Sequence, residues 1–260
     1  MGTIMAELDK PLIAQRFAAH ITEYDEHAIA QQQINRQLVN LLAQTNKQCF
    51  RRVLEIGCGT GDLTQHLMRE YQVEHLAVND LSNVYQDCVV QKIGENRPLI
   101  SFKFIAGDAE HLAFDGQFDL ISSASAVQWF EQPQTFVSQA AKLLQPNGVL
   151  LFNSFTTENL AEIRELTGVG LTYPSPADWH FWLSKDFTQL QIMQRQIRLT
   201  FASPLAVLQH LRKTGVTAIS TQTWTRKKLM EFSEQYQAQF SCEQGVYLTY
   251  APIFILGVKK

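Results

Sequence analysis

The chain has 260 residues, 45% of them apolar, enough for one large domain or a domain carrying an inserted subdomain. A formal net charge of −3 and a pI near 6.2 give the whole chain no attraction for nucleic acid or an anionic membrane, so any basic site must be local. Cys49, Cys58, Cys88 and Cys242 form no C-x-x-C pair and no zinc-spaced cluster, which argues against a disulfide framework or a metal site and for a reducing cytoplasm. With no signal-peptide core at the start and no stretch near the ~18 apolar residues of a membrane span, the sequence reads as a soluble protein.

In chain order, Ile34, Leu38, Leu41 and Leu42 recur at helical spacing within residues 11–45, predicting one or two amphipathic helices. From Arg51 to Phe155 apolar runs alternate with helical segments: 51–56, 75–78, 102–107, 118–123 and 149–155. Strands so separated imply right-handed βαβ units and a parallel sheet covered on both faces. Past Phe155 the rhythm breaks, and Trp179, Phe181, Trp182 and Phe187, punctuated by Pro174 and Pro176, predict a helical insertion over 156–190. A strand follows at 194–201, then a helix capped by Ser203 with Pro204 at its first position and closed near Gly215. Residues 226–240 read as a helix and 247–258 as a final strand, which Pro252 would demote to an edge or mark with a bulge.

The strongest local signal is Val53-Leu54-Glu55-Ile56-Gly57-Cys58-Gly59-Thr60-Gly61-Asp62. An apolar strand delivers three alternate glycines to the start of a helix, where tight turning, close backbone approach and free N–H groups suit a nucleotide-sized ligand. The G-x-G-x-G spacing, with acidic Glu55 in the strand, departs from the G-x-G-x-x-G of dinucleotide sites and favours a nucleoside bearing an amino acid. The second strand ends in Asn79-Asp80, where a carboxylate can accept both ribose hydroxyls; Asp80 is the expected ligand, with Asn79 as the register alternative. The third ends in Gly107-Asp108-Ala109, putting Asp108 beside an adenine amino group or, alternatively, at the cap of the next helix.

These segments, with the turn and strand L-L-Q-P-N-G-V-L-L-F, resemble the Rossmann-like class I methyltransferases. Closer resemblance runs through 16–28, AVQWF (126–130), 152–166, 170–175, 203–216 and 248–257, which are similar to the malonyl-[acyl-carrier protein] O-methyltransferase family of biotin synthesis. The resemblance implies an α/β fold: a Rossmann-like, doubly wound, mostly parallel seven-stranded sheet in a single domain over 1–260. It implies N-terminal lid helices (11–45), a cofactor-binding core (51–155), a helical insertion after the fifth strand completing the lid (156–190) and a C-terminal part of the core (191–260).

S-adenosylmethionine would be held by Glu55, Gly57, Gly59, Gly61, Asp80, Leu81, Asp108, Ala109 and Ser123. Gln128, Trp129 and Trp179 would meet substrate or partner. The substrate would be the free carboxylate of a malonyl thioester on an acidic carrier protein. Arg164, matching the family's L-x-E-[LI]-R segment, and Tyr24, in its Y-D-x-x-A segment, would position that carboxylate, with Arg164 projecting over the cofactor crevice. Residues 179–230 hold eight basic side chains, including Arg226, Lys227 and Lys228, against Asp186 alone, an asymmetry suited to docking an acidic partner. Ser122-Ser123-Ala124-Ser125 stands where amine methyltransferases often carry N-P-P-[FY], which lowers the case for an exocyclic amine as acceptor. A methyltransferase for another small carboxylate or hydroxyl, an NAD-dependent oxidoreductase and a non-catalytic binding subunit are the alternatives.

Overall fold

The apolar runs of the sequence become strands wherever a neighbour can cover both faces, and the computed structural model describes them within residues 4–5, 8–94, 99–215 and 224–260. In chain order the elements are β1 (Ile4–Met5), α1 (Lys10–Ala18), α2 (Ile21–His27), α3 (Ile29–Ala43), β2 (Cys49–Ile56), α4 (Asp62–Glu70), β3 (Gln72–Asp80), α5 (Gln86–Gly94), β4 (Ser101–Ala106), β5 (Phe118–Ser123), α6 (Pro133–Leu143) and β6 (Leu144–Phe155). They continue with α7 (Ala161–Thr167), β7 (Val169–Gly170), α8 (Pro176–Ser184), β8 (Phe187–Gln194), β9 (Ile197–Phe201), α9 (Pro204–Lys213), α10 (Arg226–Gln239), β10 (Ser241–Cys242), β11 (Gly245–Tyr250) and β12 (Pro252–Lys259).

The chain divides into two compact units. The larger comprises residues 31–154, 174–194 and 253–260 and holds a seven-stranded sheet in the order β4-β3-β2-β5-β6-β12-β8. Strands β2 to β6 pair in parallel, while β8 runs antiparallel to β12. Its core joins Leu54, Ile121, Leu150 and Phe152 of the strands to Phe136 and Ala140 of α6 and to Trp179 and Leu183 of α8. Unbroken burial over 53–56 of β2 and 148–155 of β6 is what a sheet covered on both faces requires. The expected α/β, Rossmann-like, mostly parallel seven-stranded sheet is therefore present.

The smaller unit comprises residues 1–30, 155–173 and 195–252. Its three-stranded antiparallel sheet has the order β10-β11-β9. Helix α9 begins as its sequence dictates, Ser203 accepting from the Ala206 N–H with Pro204 in the first turn. Helix α7 is pinned to β11 by the buried Glu162, whose carboxylate accepts from the hydroxyl (2.6 Å) and the N–H (3.2 Å) of Thr249.

Three expectations about the later elements are corrected. Residues 247–258 are two strands in two sheets: β11 ends at Tyr250, Ala251 is buried between them, and β12 begins at Pro252. Proline lacks the N–H that an interior ladder position needs, but the first position of a strand tolerates it. Nor is β12 an edge, because it lies between β6 and β8. The stretch 156–190 is not wholly helical: α7 and α8 are followed by β8 from Phe187.

Candidate active site

Strand β2 lies between β3 and β5, so its buried Leu54-Glu55-Ile56 segment delivers the glycines to the carboxyl end of the sheet, where open α/β sheets bind ligands. Gly57, Gly59 and Gly61 all lie in the left-handed region, with φ of +68°, +49° and +83°. A Cβ on Gly57 would stand 2.2 Å from the Ala126 Cβ and one on Gly61 would stand 3.1 Å from Val89, whereas one on Gly59 would meet nothing within 4 Å. The outer glycines thus answer to the protein's own packing, and the middle one leaves open space for a ligand to reach the backbone.

The tip of β3 separates the two candidates there. Asn79 is buried and its Nδ2 donates to the carbonyls of Ile105 (2.8 Å) and Gly107 (2.9 Å), tying β3 to the end of β4. Asp80 faces the glycines, its Oδ2 accepting from the Gly59 N–H at 2.8 Å. Burial pushes its carboxyl up to about 6, although backbone N–H groups of Gly59, Ser82 and Leu81 favour the charged form. It is therefore largely ionised at pH 7. Leu81 follows half-buried. Asp108 caps no helix, since only a turn follows it: its Oδ1 accepts from the Glu110 N–H at 3.0 Å and its Oδ2 lies 3.7 Å from the His111 Nε2, while Ala109 is buried.

Glu55 and Ser123, expected against the cofactor, serve the loop from beneath instead. Both are buried, at 1% and 0% exposure. The Ser123 hydroxyl donates to the Ile56 carbonyl (2.8 Å), fastening β5 to the end of β2. Glu55 accepts from the Thr64 hydroxyl at 2.6 Å, and desolvation raises its carboxyl to about 8, with Asp62 and Asp80 adding to the rise. The folded state then binds this proton more tightly than the unfolded chain does, so the contribution of Glu55 to stability is fully present below about 4.5, the ordinary value of a glutamate, and is lost as pH rises through about 8. Glu55→Gln keeps the acceptor for Thr64 and removes the titration. Its melting temperature relative to the parent is expected to rise from pH 5 to pH 9; an unchanged difference across that range would refute the assignment.

In the segment after β5, the sequence singled out Gln128 and Trp129 but gave no sign of the backbone turn at Ser125 that holds them. Ser125 has φ of +51°, and its N–H donates to the Asn153 Oδ1 at 2.8 Å. The Gln128 Nε2 donates to the Ser125 carbonyl (2.7 Å), and Trp129 is buried in the same turn. Trp179, expected to meet substrate or partner, is corrected: it has no exposed surface and packs edge-on against Phe152 and Trp182 at 5.1 and 5.2 Å. A large indole inside the apolar cluster of α6, α8 and the sheet is a core residue.

In the smaller unit, Tyr24 is half-buried on α2, its ring 6.2 Å from that of Phe17. Arg164 lies on α7, with its guanidinium donating to the carbonyls of Asn159 (3.4 Å) and Thr157. Arg226, Lys227 and Lys228 are exposed in the first turn of α10, where Lys227 stands 3.8 Å from Glu231. Among the described residues there is no group of three or more His, Cys, Asp or Glu able to hold a metal, and no helix long and apolar enough to cross a membrane.

Comparison with known proteins agrees with this architecture. A family model described as a methyltransferase domain matches residues 54–152. The YcgJ protein of Bacillus subtilis shares the fold, with a TM-score of 0.61 over 86% of this chain and 99% of that one at 18% identity. The malonyl-[acyl-carrier protein] O-methyltransferase of Haemophilus ducreyi is 56% identical over 98% of this chain and 99% of its own. Its counterpart from Haemophilus influenzae is 40% identical over 99% of this chain and 97% of its own. Identity of this extent along nearly the whole of both chains shows that the chain belongs to the malonyl-[acyl-carrier protein] O-methyltransferase family of S-adenosylmethionine-dependent methyltransferases.

Proposed function

We propose that this protein transfers the methyl group of S-adenosylmethionine to the free carboxylate of malonyl-[acyl-carrier protein], giving the methyl ester that enters biotin synthesis. The observation that carries the reading is the 56% identity spanning 98% of the chain, joined to a glycine loop with ligand space at Gly59. When bound, the cofactor supplies an electrophilic methyl group on its sulfonium. Asp80 fits the ribose hydroxyls as an ionised acceptor beside that loop, and Gly59 lets the ligand approach the backbone. Leu81, Asp108 and Ala109 stay assigned to the adenosine side, and Gln128 and Trp129 to the substrate.

A malonyl carboxylate, with pKa about 4, is ionised at pH 7, so no general base is needed. The protein's task is placement: orienting the carboxylate, desolvating it and excluding water. Arg164 suits the first part, because a guanidinium offers parallel N–H bonds and leaves a lone pair free to attack; Tyr24 adds a phenolic donor. In this reading the reaction takes place in the cytoplasm and the four cysteines act as free thiols.

Radiolabelled methyl is expected to reach malonyl-carrier protein as a base-labile ester; labelling of another acceptor in its place would overturn the substrate assignment. The exposed basic turn of α10 is the proposed docking face for the acidic carrier. Reversing Arg226, Lys227 and Lys228 to Glu should raise KM for the carrier-borne substrate, with the penalty shrinking as salt rises and cofactor affinity unchanged. Equal loss against a small malonyl thioester would point to damage in the fold.

A further inference from the structure

Two amide oxygens on α3 are buried without a hydrogen-bond partner: Gln31 Oε1 and Asn35 Oδ1. Their residues are one helical turn apart on one face and each only 7% exposed. The orientation of Asn35 is fixed by chemistry, since its Nδ2 donates to the Asp62 Oδ2 at 2.7 Å, and turning the amide over would set oxygen against carboxylate. Its Oδ1 therefore looks away from Asp62. An unmet buried acceptor is destabilising, so two on successive turns point to a donor that arrives with a ligand. Asp62 directly follows Gly61 and opens α4, which sets Asn35 beside the glycine loop, with Gln31 one helical turn away on the same face.

The signs of the surrounding groups choose the donor. Two neutral acceptors next to the Asp62 carboxylate attract a cation and repel an anion. Among the described residues, the Lys92 Nζ is 3.4 Å from the Thr60 Oγ1 and the His66 Nε2 is 3.9 Å from Asp62, while the two amide oxygens accept from neither. We propose that Gln31 and Asn35, with Asp62 behind them, form the subsite for the ammonium group of the cofactor's amino-acid end. This rests on the glycine loop being the cofactor cradle. An ammonium carries three donors, enough to satisfy both amide oxygens at once.

Calorimetry with two probes tests the subsite: S-adenosylhomocysteine, and 5′-methylthioadenosine, which lacks the amino-acid end. Gln31→Leu and Asn35→Leu are each expected to weaken S-adenosylhomocysteine by about tenfold and leave methylthioadenosine unchanged. Gln31→Glu still presents an acceptor to a cation and should hold S-adenosylhomocysteine within about threefold of the parent, whereas a ligand carboxylate in this position would be repelled. Parental affinity in both Leu variants overturns the proposal, as does an equal loss of both probes at an unchanged melting temperature. Should the Leu variants fail to fold, Gln31→Glu decides alone, and a loss beyond about tenfold refutes it. Asp80→Ala separates the underlying assignment: it should weaken both probes, and no effect on either would remove the cradle itself.

Discussion

Arg164→Lys is expected to lower kcat/KM for malonyl-carrier protein by about 100-fold or more, with S-adenosylmethionine affinity held at the parent value and the melting temperature lowered only slightly by weaker bonds to the Asn159 and Thr157 carbonyls. The helix that carries Arg164 is well fixed. Glu162, two residues earlier, is hydrogen-bonded to Thr249, and Asn159 accepts from the Ala251 N–H (3.1 Å) while donating to the Tyr173 hydroxyl (3.0 Å). A Cβ on Gly170 would lie 3.1 Å from the Arg164 Cδ, so the stem of the side chain is laterally confined. A lysine preserves the charge but replaces a planar fork by a point of three donors, which can neither bracket two carbonyls nor align a carboxylate in one plane. A residue serving only the loop would lose melting temperature in step with turnover. Turnover at the parent rate would place the carboxylate clamp elsewhere.

Gly57→Val is expected to lower stability by about 2–5 kcal/mol and to abolish measurable cofactor binding. Left-handed backbone costs a side chain about 1–2 kcal/mol, and overpacking a filled site adds about 1–3 kcal/mol. The collision is internal, since the new Cβ would lie 2.2 Å from that of Ala126 before any ligand is considered. Gly59→Ala provides the contrast: it shares the left-handed cost but meets nothing within 4 Å, so its melting temperature should fall much less while cofactor affinity suffers. Equal melting temperatures for Gly57→Val and the parent would show that the loop relaxes freely and that Ala126 does not constrain it.

The parallel half of the sheet was legible because β2 to β6 are short apolar runs with helices between them, a pattern that covered parallel strands impose. Capping was equally legible at Ser203-Pro204, where chemistry is local. Tertiary destinations were not. The apolar run along 247–258 looks the same whether the chain stays in one sheet or changes sheets at Ala251, so β11 and β12 read as one strand. Trp179 sits among exposed and half-buried aromatics, and composition cannot tell that it faces inward while Phe181, two residues on, is 75% exposed. Asp80 was legible from its position at the strand tip, but the roles of Glu55 and Ser123 beneath the loop depend on partners, Thr64 and Ile56, that only the fold brings to them. Gln31 and Asn35 gave no signal, because amides at helical spacing with the apolar stripe of Ile34, Leu38 and Leu42 read as interruptions of that stripe until their burial is seen.

The place of β12 between β6 and β8 shapes how the chain must be made. Strand β6 ends at Phe155 and its neighbour begins only at Pro252, so during synthesis roughly a hundred residues emerge before that side of β6 is paired. Through that interval β6 offers a row of unmet backbone groups to any other extended chain, the condition under which nascent proteins associate with one another. Ribosome-bound chains ending before residue 252 should accordingly recruit chaperones and resist protease poorly, and both properties should change together once β12 has cleared the exit tunnel.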